Sequence, residues 1–65
     1  MTVSELSIMY QYLIIQKNAL GFLIQGYSEL YWYLTYHDNL NEYRCAPENG
    51  KAIYVAPETI VNVIY

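Results

Sequence analysis

Polar and apolar positions alternate along this chain in two regimes, one before residue 37 and one after residue 42. In the first, Leu6, Met9, Tyr10 and Leu13 recur at helical spacing, with Ser4, Ser7, Gln11 and Asn18 opposite. Thr2-Val3-Ser4-Glu5 fits a capping box that would start this helix: a threonine hydroxyl and a glutamate three residues on satisfy free amides. Gln16-Lys17-Asn18 is the only polar break before residue 37, and Asn18 is a fair N-cap for a second helix. A single helix of about 33 residues would run near 50 Å at 1.5 Å per residue, too long to fold back in so short a chain.

The pattern predicts that the second helix carries Leu20, Leu23, Ile24, Tyr27, Tyr31 and Leu34 as one stripe. Gln25, Ser28 and Glu29 mark its polar side, and Phe22, Leu30, Tyr33 and Tyr36 flank the stripe. That arc is wider than the ~100° one core contact requires, so the helix is either covered on several sides or faces a second chain. Gly21 and Gly26, each costing about 1 kcal/mol inside a helix, read as points of close approach or as a kink.

Turn chemistry takes over at His37-Asp38-Asn39-Leu40-Asn41 and again at Pro47-Glu48-Asn49-Gly50. The second turn suggests a short hairpin near residues 43–55, with Lys51 to Val55 as a strand. Ala56 precedes a proline and reads as extended. Pro57-Glu58-Thr59 suits the first turn of a last helix burying Ile60, Val61 and Ile64, with a strand as the competing reading because those residues are β-branched. The expected fold is therefore all-α, a single domain over residues 1–65 with three to four helices and a short hairpin.

Composition narrows the function classes. A 65-residue chain buries only roughly 60% of its unfolded surface. With one cysteine, Cys45, it forms no intrachain disulfide, which leaves oligomerisation or a partner as its staple. Nine of the residues are tyrosine, more phenols than so small a core can hide with their hydroxyls satisfied. The net charge of −3 and the scattered bases Lys17, Arg44 and Lys51 argue against nucleic acid. Repeated polar interruptions from Gln11 to Glu29 argue against a membrane span. The N-terminus lacks the charged region of a secretory signal, so a cytoplasmic address is expected, or a periplasmic one if a leader has been removed.

His37, Asp38 and Cys45 are the only trio suggestive of nucleophilic chemistry, and one His in a turn with no oxyanion donor does not complete it. One Cys and one His leave a zinc site two ligands short, and Asp38, Glu42 and Glu48 lack calcium-loop spacing. Neither an enzyme nor a cofactor or metal protein is expected.

The aromatic surface is the strongest signal, since Tyr and Trp bring large contact area at low entropy cost. The expected partner-binding residues are Tyr27, Tyr31, Trp32, Tyr33 and Tyr36, with Tyr10 and Tyr12 also candidates and Asp38 and Glu42 as steering acids. Trp32 falls in line with Gln25, Ser28 and Glu29 on the polar side of the expected helix, where its own domain would not bury it.

Gly21, Gly26-Tyr27, Cys45-Ala46-Pro47 and the 57–64 segment resemble the HdeA-like superfamily, which includes periplasmic acid-stress chaperones and type VI secretion immunity proteins. The resemblance implies a small all-α domain that binds protein. The family's usual disulfide is not reproduced, because Val3 and Ala19 stand where its first cysteine is expected and Cys45 is left single. The expected function is a small acidic inhibitor or immunity-type module, of the kind carried by phages or mobile elements. It would occlude a protein partner through a tyrosine-rich helical face. The alternative is a structural homo-oligomer assembled through that face.

Overall fold

The computed structural model describes residues 1–65 and shows a small α/β domain: one short helix packed on a five-stranded antiparallel sheet. Helix α1 spans Val3–Tyr10 and runs on into a wider turn, Gln11–Gln16, in which the Lys17 amide donates to the Tyr12 carbonyl five residues back. The strands are β1 (Gly21–Ile24), β2 (Leu30–His37), β3 (Glu42–Pro47), β4 (Ile53–Val55) and β5 (Val61–Ile64). Their order in the sheet is β4-β3-β2-β1-β5.

The all-α expectation is thus overturned, and with it the all-α architecture implied by the HdeA-like resemblance. The second expected helix is β1, a turn and β2; the last expected helix is β5. The hairpin at residues 43–55 is present as β3 and β4, paired through Tyr43↔Val55, Arg44↔Tyr54 and Cys45↔Ile53. The first helix is also present. Its Thr2 side chain accepts from the Glu5 amide at 3.2 Å, and Glu5 Oε1 accepts from the Thr2 amide at 2.7 Å.

The short, turned connection between β4 and β5 draws the edges of the sheet together. Five strands at about 4.8 Å spacing would place β4 roughly 19 Å from β5 in a flat sheet. Only residues 56–60 join them, and the six steps from Val55 to Val61 would just span that distance if fully extended, at about 3.3–3.6 Å per residue. That connection is further shortened by a turn, closed by the Thr59 amide donating to the Ala56 carbonyl at 3.0 Å. The two edges must therefore approach each other, in the sense of the normal strand twist.

Helix α1 sits in the concavity this creates. Its first free amides are satisfied by the connection itself: Val3 donates to Thr59 (2.8 Å) and Ser4 to Pro57 (3.1 Å). Val61 of β5 donates to the Met1 carbonyl at 2.9 Å, so the start of the chain continues the sheet beside β5. Val3, Leu6, Leu13 and Ile14 descend onto the inner face of the sheet, where they meet Phe22, Ile24, Tyr31, Tyr43, Cys45, Val55 and Val61 in one core.

Strand alternation sends the other residues to the outer face. Cross-strand partners share a face, so Leu23, Leu30 and Asn62 lie together, as do Arg44 and Tyr54. No element of the chain covers this outer face, the usual arrangement for an antiparallel sheet. Here, however, it carries Leu23, Leu30, Tyr33, Tyr54 and Ile64 among its polar residues.

Candidate functional site: an aromatic trough beside a β-bulge

Between Tyr31 and Tyr33 the pairing of β2 with β3 slips by one residue: Tyr31 pairs with Pro47, but Tyr33 pairs with Ala46. Trp32 is the extra residue. A bulge of this kind leaves one residue out of the ladder and re-aims its side chain. The Tyr10 hydroxyl, reaching across from α1, donates to the Trp32 carbonyl. It thereby satisfies a backbone acceptor beside the bulge and ties the helix to it. Burial, and then the Tyr33 phenol, hold the Tyr10 hydroxyl above the ordinary tyrosine pKa, so it remains a donor.

The indole of Trp32 packs partly against the core and partly lines two adjoining hollows. One, about 430 Å³, is bounded by Asn18, Ala19, Leu20, Trp32, Tyr33 and Glu48. The other, about 310 Å³, is bounded by Leu20, Glu29, Leu30, Trp32, Pro47, Glu48 and Asn49. They share Leu20, Trp32 and Glu48 as lining, and together form one trough beside the bulge. Leu20 (59% exposed) and Tyr33 (54% exposed) stand at its mouth.

Local backbone explains how such distant residues come together. Asn18 adopts a left-handed conformation (φ 58°) that ends the helical segment and turns the chain into β1. Gly21, at φ +150°, lets β1 run so close to β2 that an added Cβ would strike the Tyr31 carbonyl and the Leu30 side chain. The Glu29 carboxylate reaches over the loop after β3 and lies against Gly50, where a Cβ would meet Glu29 Oε2 at 3.3 Å. Glu29 and Glu48 consequently rim the trough from two different loops.

The residues expected to bind a partner do not share a face. Tyr31 is 3% exposed and belongs to the core, against Phe22 at 6.2 Å between ring centroids. Its hydroxyl is held above the ordinary range by burial first, then by the Glu29 charge. Tyr36 lies on the inner-face register beside Tyr43 (4.9 Å), near the sheet end, and donates to Asn41 Oδ1 at 2.9 Å. Tyr27 is exposed after the β1 turn, edge-on to Tyr31 at 6.3 Å. Tyr33 alone of these tyrosines both opens to the outer face and lines the trough. Trp32 is half-buried in a strand, not exposed on the polar side of a helix.

Asp38 and Glu42 flank the β2–β3 turn, at the opposite end of β2 from the trough. Seven steps of about 3.3 Å separate the ends of that eight-residue strand by roughly 23 Å. The acids beside the trough are instead Glu29 and Glu48, whose proximity depends on the pairing of Tyr31 with Pro47. Leu20 likewise enters only through the β1–β2 register. No short-range pattern marks any of the three; the Pro47-Glu48-Asn49-Gly50 turn was the one available clue.

The would-be nucleophilic trio is pulled apart. Cys45 is fully buried on the inner face, opposite Leu34, and burial pushes its thiol up to about 11. His37 lies on the outer face, edge-on to Tyr54 at 5.2 Å. No three His, Cys, Asp or Glu side chains converge as a metal-binding group. No helix is long and apolar enough to cross a membrane. Compared with known proteins, the chain matches no family model, no curated protein and no solved structure. What fold and site define is a small α/β domain with one covered and one open sheet face, the open face ending in a preformed aromatic trough.

Proposed function

We propose that this chain is a small protein-binding domain whose contact surface is the open outer face of the sheet, centred on Tyr33 and the trough beside Trp32. The observation that supports this reading is the bulge. It interrupts a regular strand and places Trp32 beside an exposed tyrosine and two exposed leucines, and the Tyr10 hydroxyl, donating to the Trp32 carbonyl, fastens the backbone there. Bulges cost ladder hydrogen bonds and accompany functional positions. Aromatic side chains in a preformed concavity are the usual anchors of protein contacts. Binding is itself the activity in this reading: the domain acts by occupying a surface of its partner.

The test is selection of a displayed random-peptide library on the immobilised chain, with Leu30→Glu and Tyr33→Glu as controls. Both side chains are exposed, so both variants keep the native circular dichroism. Enriched peptides that bind the wild type and lose at least tenfold in affinity to either variant support the proposal. Absence of enrichment, or binding indifferent to both substitutions, ends it. A species of twice 7.6 kDa in light scattering, abolished by Tyr33→Glu, would make the occupant of this face a second copy of the chain instead.

A further inference from the structure

Resting on that reading, we infer that the occupant of the trough is a basic peptide segment, with an arginine side chain laid along Trp32 between Glu29 and Glu48. Three observations converge on a cation. Trp32 lines both hollows and Tyr33 lines the larger of these two, and a guanidinium is attracted to such π faces and stacks on them. The rim carries two carboxylates from separate loops, Glu29 and Glu48, and no basic residue lines either hollow. Lys51, the base next in sequence, stands outside both.

Neither carboxylate is engaged by the fold. The chain's side-chain hydrogen bonds involve Glu5 and no other acid, so Glu29 and Glu48 are free to accept. A planar guanidinium matches a carboxylate with two parallel N–H donors while its stem lies on apolar surface, here Leu20 and Leu30. The two hollows, about 430 and 310 Å³, adjoin at Leu20, Trp32 and Glu48, so an extended segment has room on both sides of that shared wall. The overall charge of −3 adds long-range attraction for the same kind of partner.

The test is an NMR titration of the full chain with the capped peptide acetyl-Gly-Arg-Gly-Arg-Gly-amide, its citrulline counterpart, and its glutamate counterpart. The expected result is saturable shifts at the Trp32 indole N–H and the Tyr33 and Glu48 amides with the arginine peptide only. Binding should weaken at least tenfold in Glu29→Gln/Glu48→Gln and fall as salt rises from 50 to 500 mM, about as expected for exposed charges. Both glutamates are surface residues, so the variant's unchanged amide spectrum serves as the fold control. Equal binding of the citrulline peptide overturns the cationic occupant while leaving a protein-binding trough standing. Arginine-peptide shifts remote from Trp32, or unchanged by the double substitution, overturn the site. Absence of shifts at millimolar peptide overturns the inference, and the library selection then decides separately whether the face binds protein at all.

Discussion

Gly21 stands where two strands come closer than any side chain allows. Its φ of +150° and the Tyr31 carbonyl facing the missing Cβ exclude alanine without a backbone shift. Gly21→Ala should cost about 1–3 kcal/mol, the range for a residue forced into sparsely allowed backbone, and should lower the urea midpoint accordingly. An unchanged midpoint would mean that β1 and β2 separate more easily than this register implies. Cys45 makes the complementary case of a residue defined by exclusion from water. With its thiol pushed up to about 11, it should label with Ellman's reagent at pH 8 at least about a hundredfold more slowly in buffer than in denaturing urea. The folded pKa lies above the ordinary value of 9.0, so the folded state holds the proton more tightly. The thiol's contribution is intact below about pH 9 and is lost as pH rises toward 11. Urea melts of wild type and Cys45→Ala should therefore converge in that window; a constant gap would place the thiol in contact with solvent.

At the scale of elements, the cap of α1 was legible because it is local: Thr2 and Glu5 recognise each other across one turn. The β3–β4 turn was legible for the same reason. The bulge hides the two-residue period of β2. It places the inward residues Tyr31 and Leu34 three apart instead of two, the spacing of a helix stripe. The near-continuous aromatic run of β2 then fits any period, while its Tyr, Trp and Thr content favours a strand. Of the two glycines, Gly21 opens β1 where it runs close against β2, and Gly26 (φ +91°) lies in a turn. The site was half legible: Trp32 and Tyr33 stood out by type, whereas Leu20, Glu29 and Glu48 reach the trough only through pairings between segments far apart in sequence. The cap itself is testable. Thr2→Ala should cost about 1 kcal/mol at pH 7 in urea denaturation. The Thr2 amide first, and its hydroxyl second, hold the Glu5 carboxyl below its ordinary value of 4.5. That contribution is present above about pH 4.5 and fades as pH falls through the lowered pKa. Thr2→Ala keeps the amide and removes only the hydroxyl's bond to Glu5, so that smaller share alone should make the difference between wild type and Thr2→Ala slightly less at pH 3 than at pH 7.

For the whole molecule, size decides how much each buried contact matters. At roughly 0.05–0.15 kcal/mol per residue, a chain of 65 residues has about 3–10 kcal/mol of stability in total. The sheet cannot supply this alone, because its outer face stays open and its inner face is closed only by α1 and the turn after it. The helix is thus not an accessory. Leu6 is 0% exposed and part of that seal, whereas Ile8, two residues on, is 82% exposed and lies outside the core. Leu6→Ala should cost about 2–5 kcal/mol, a large part of the whole, and Ile8→Ala should stay within about 0.5 kcal/mol of wild type. Thermal unfolding by circular dichroism separates the two cleanly. A shift of 1 kcal/mol moves the midpoint of so small a domain by about 4–8 °C, so Leu6→Ala should fall by at least 8 °C while Ile8→Ala barely moves. If instead both variants melt alike, the sheet would be holding itself together, and α1 would be a tethered segment rather than the lid of the core.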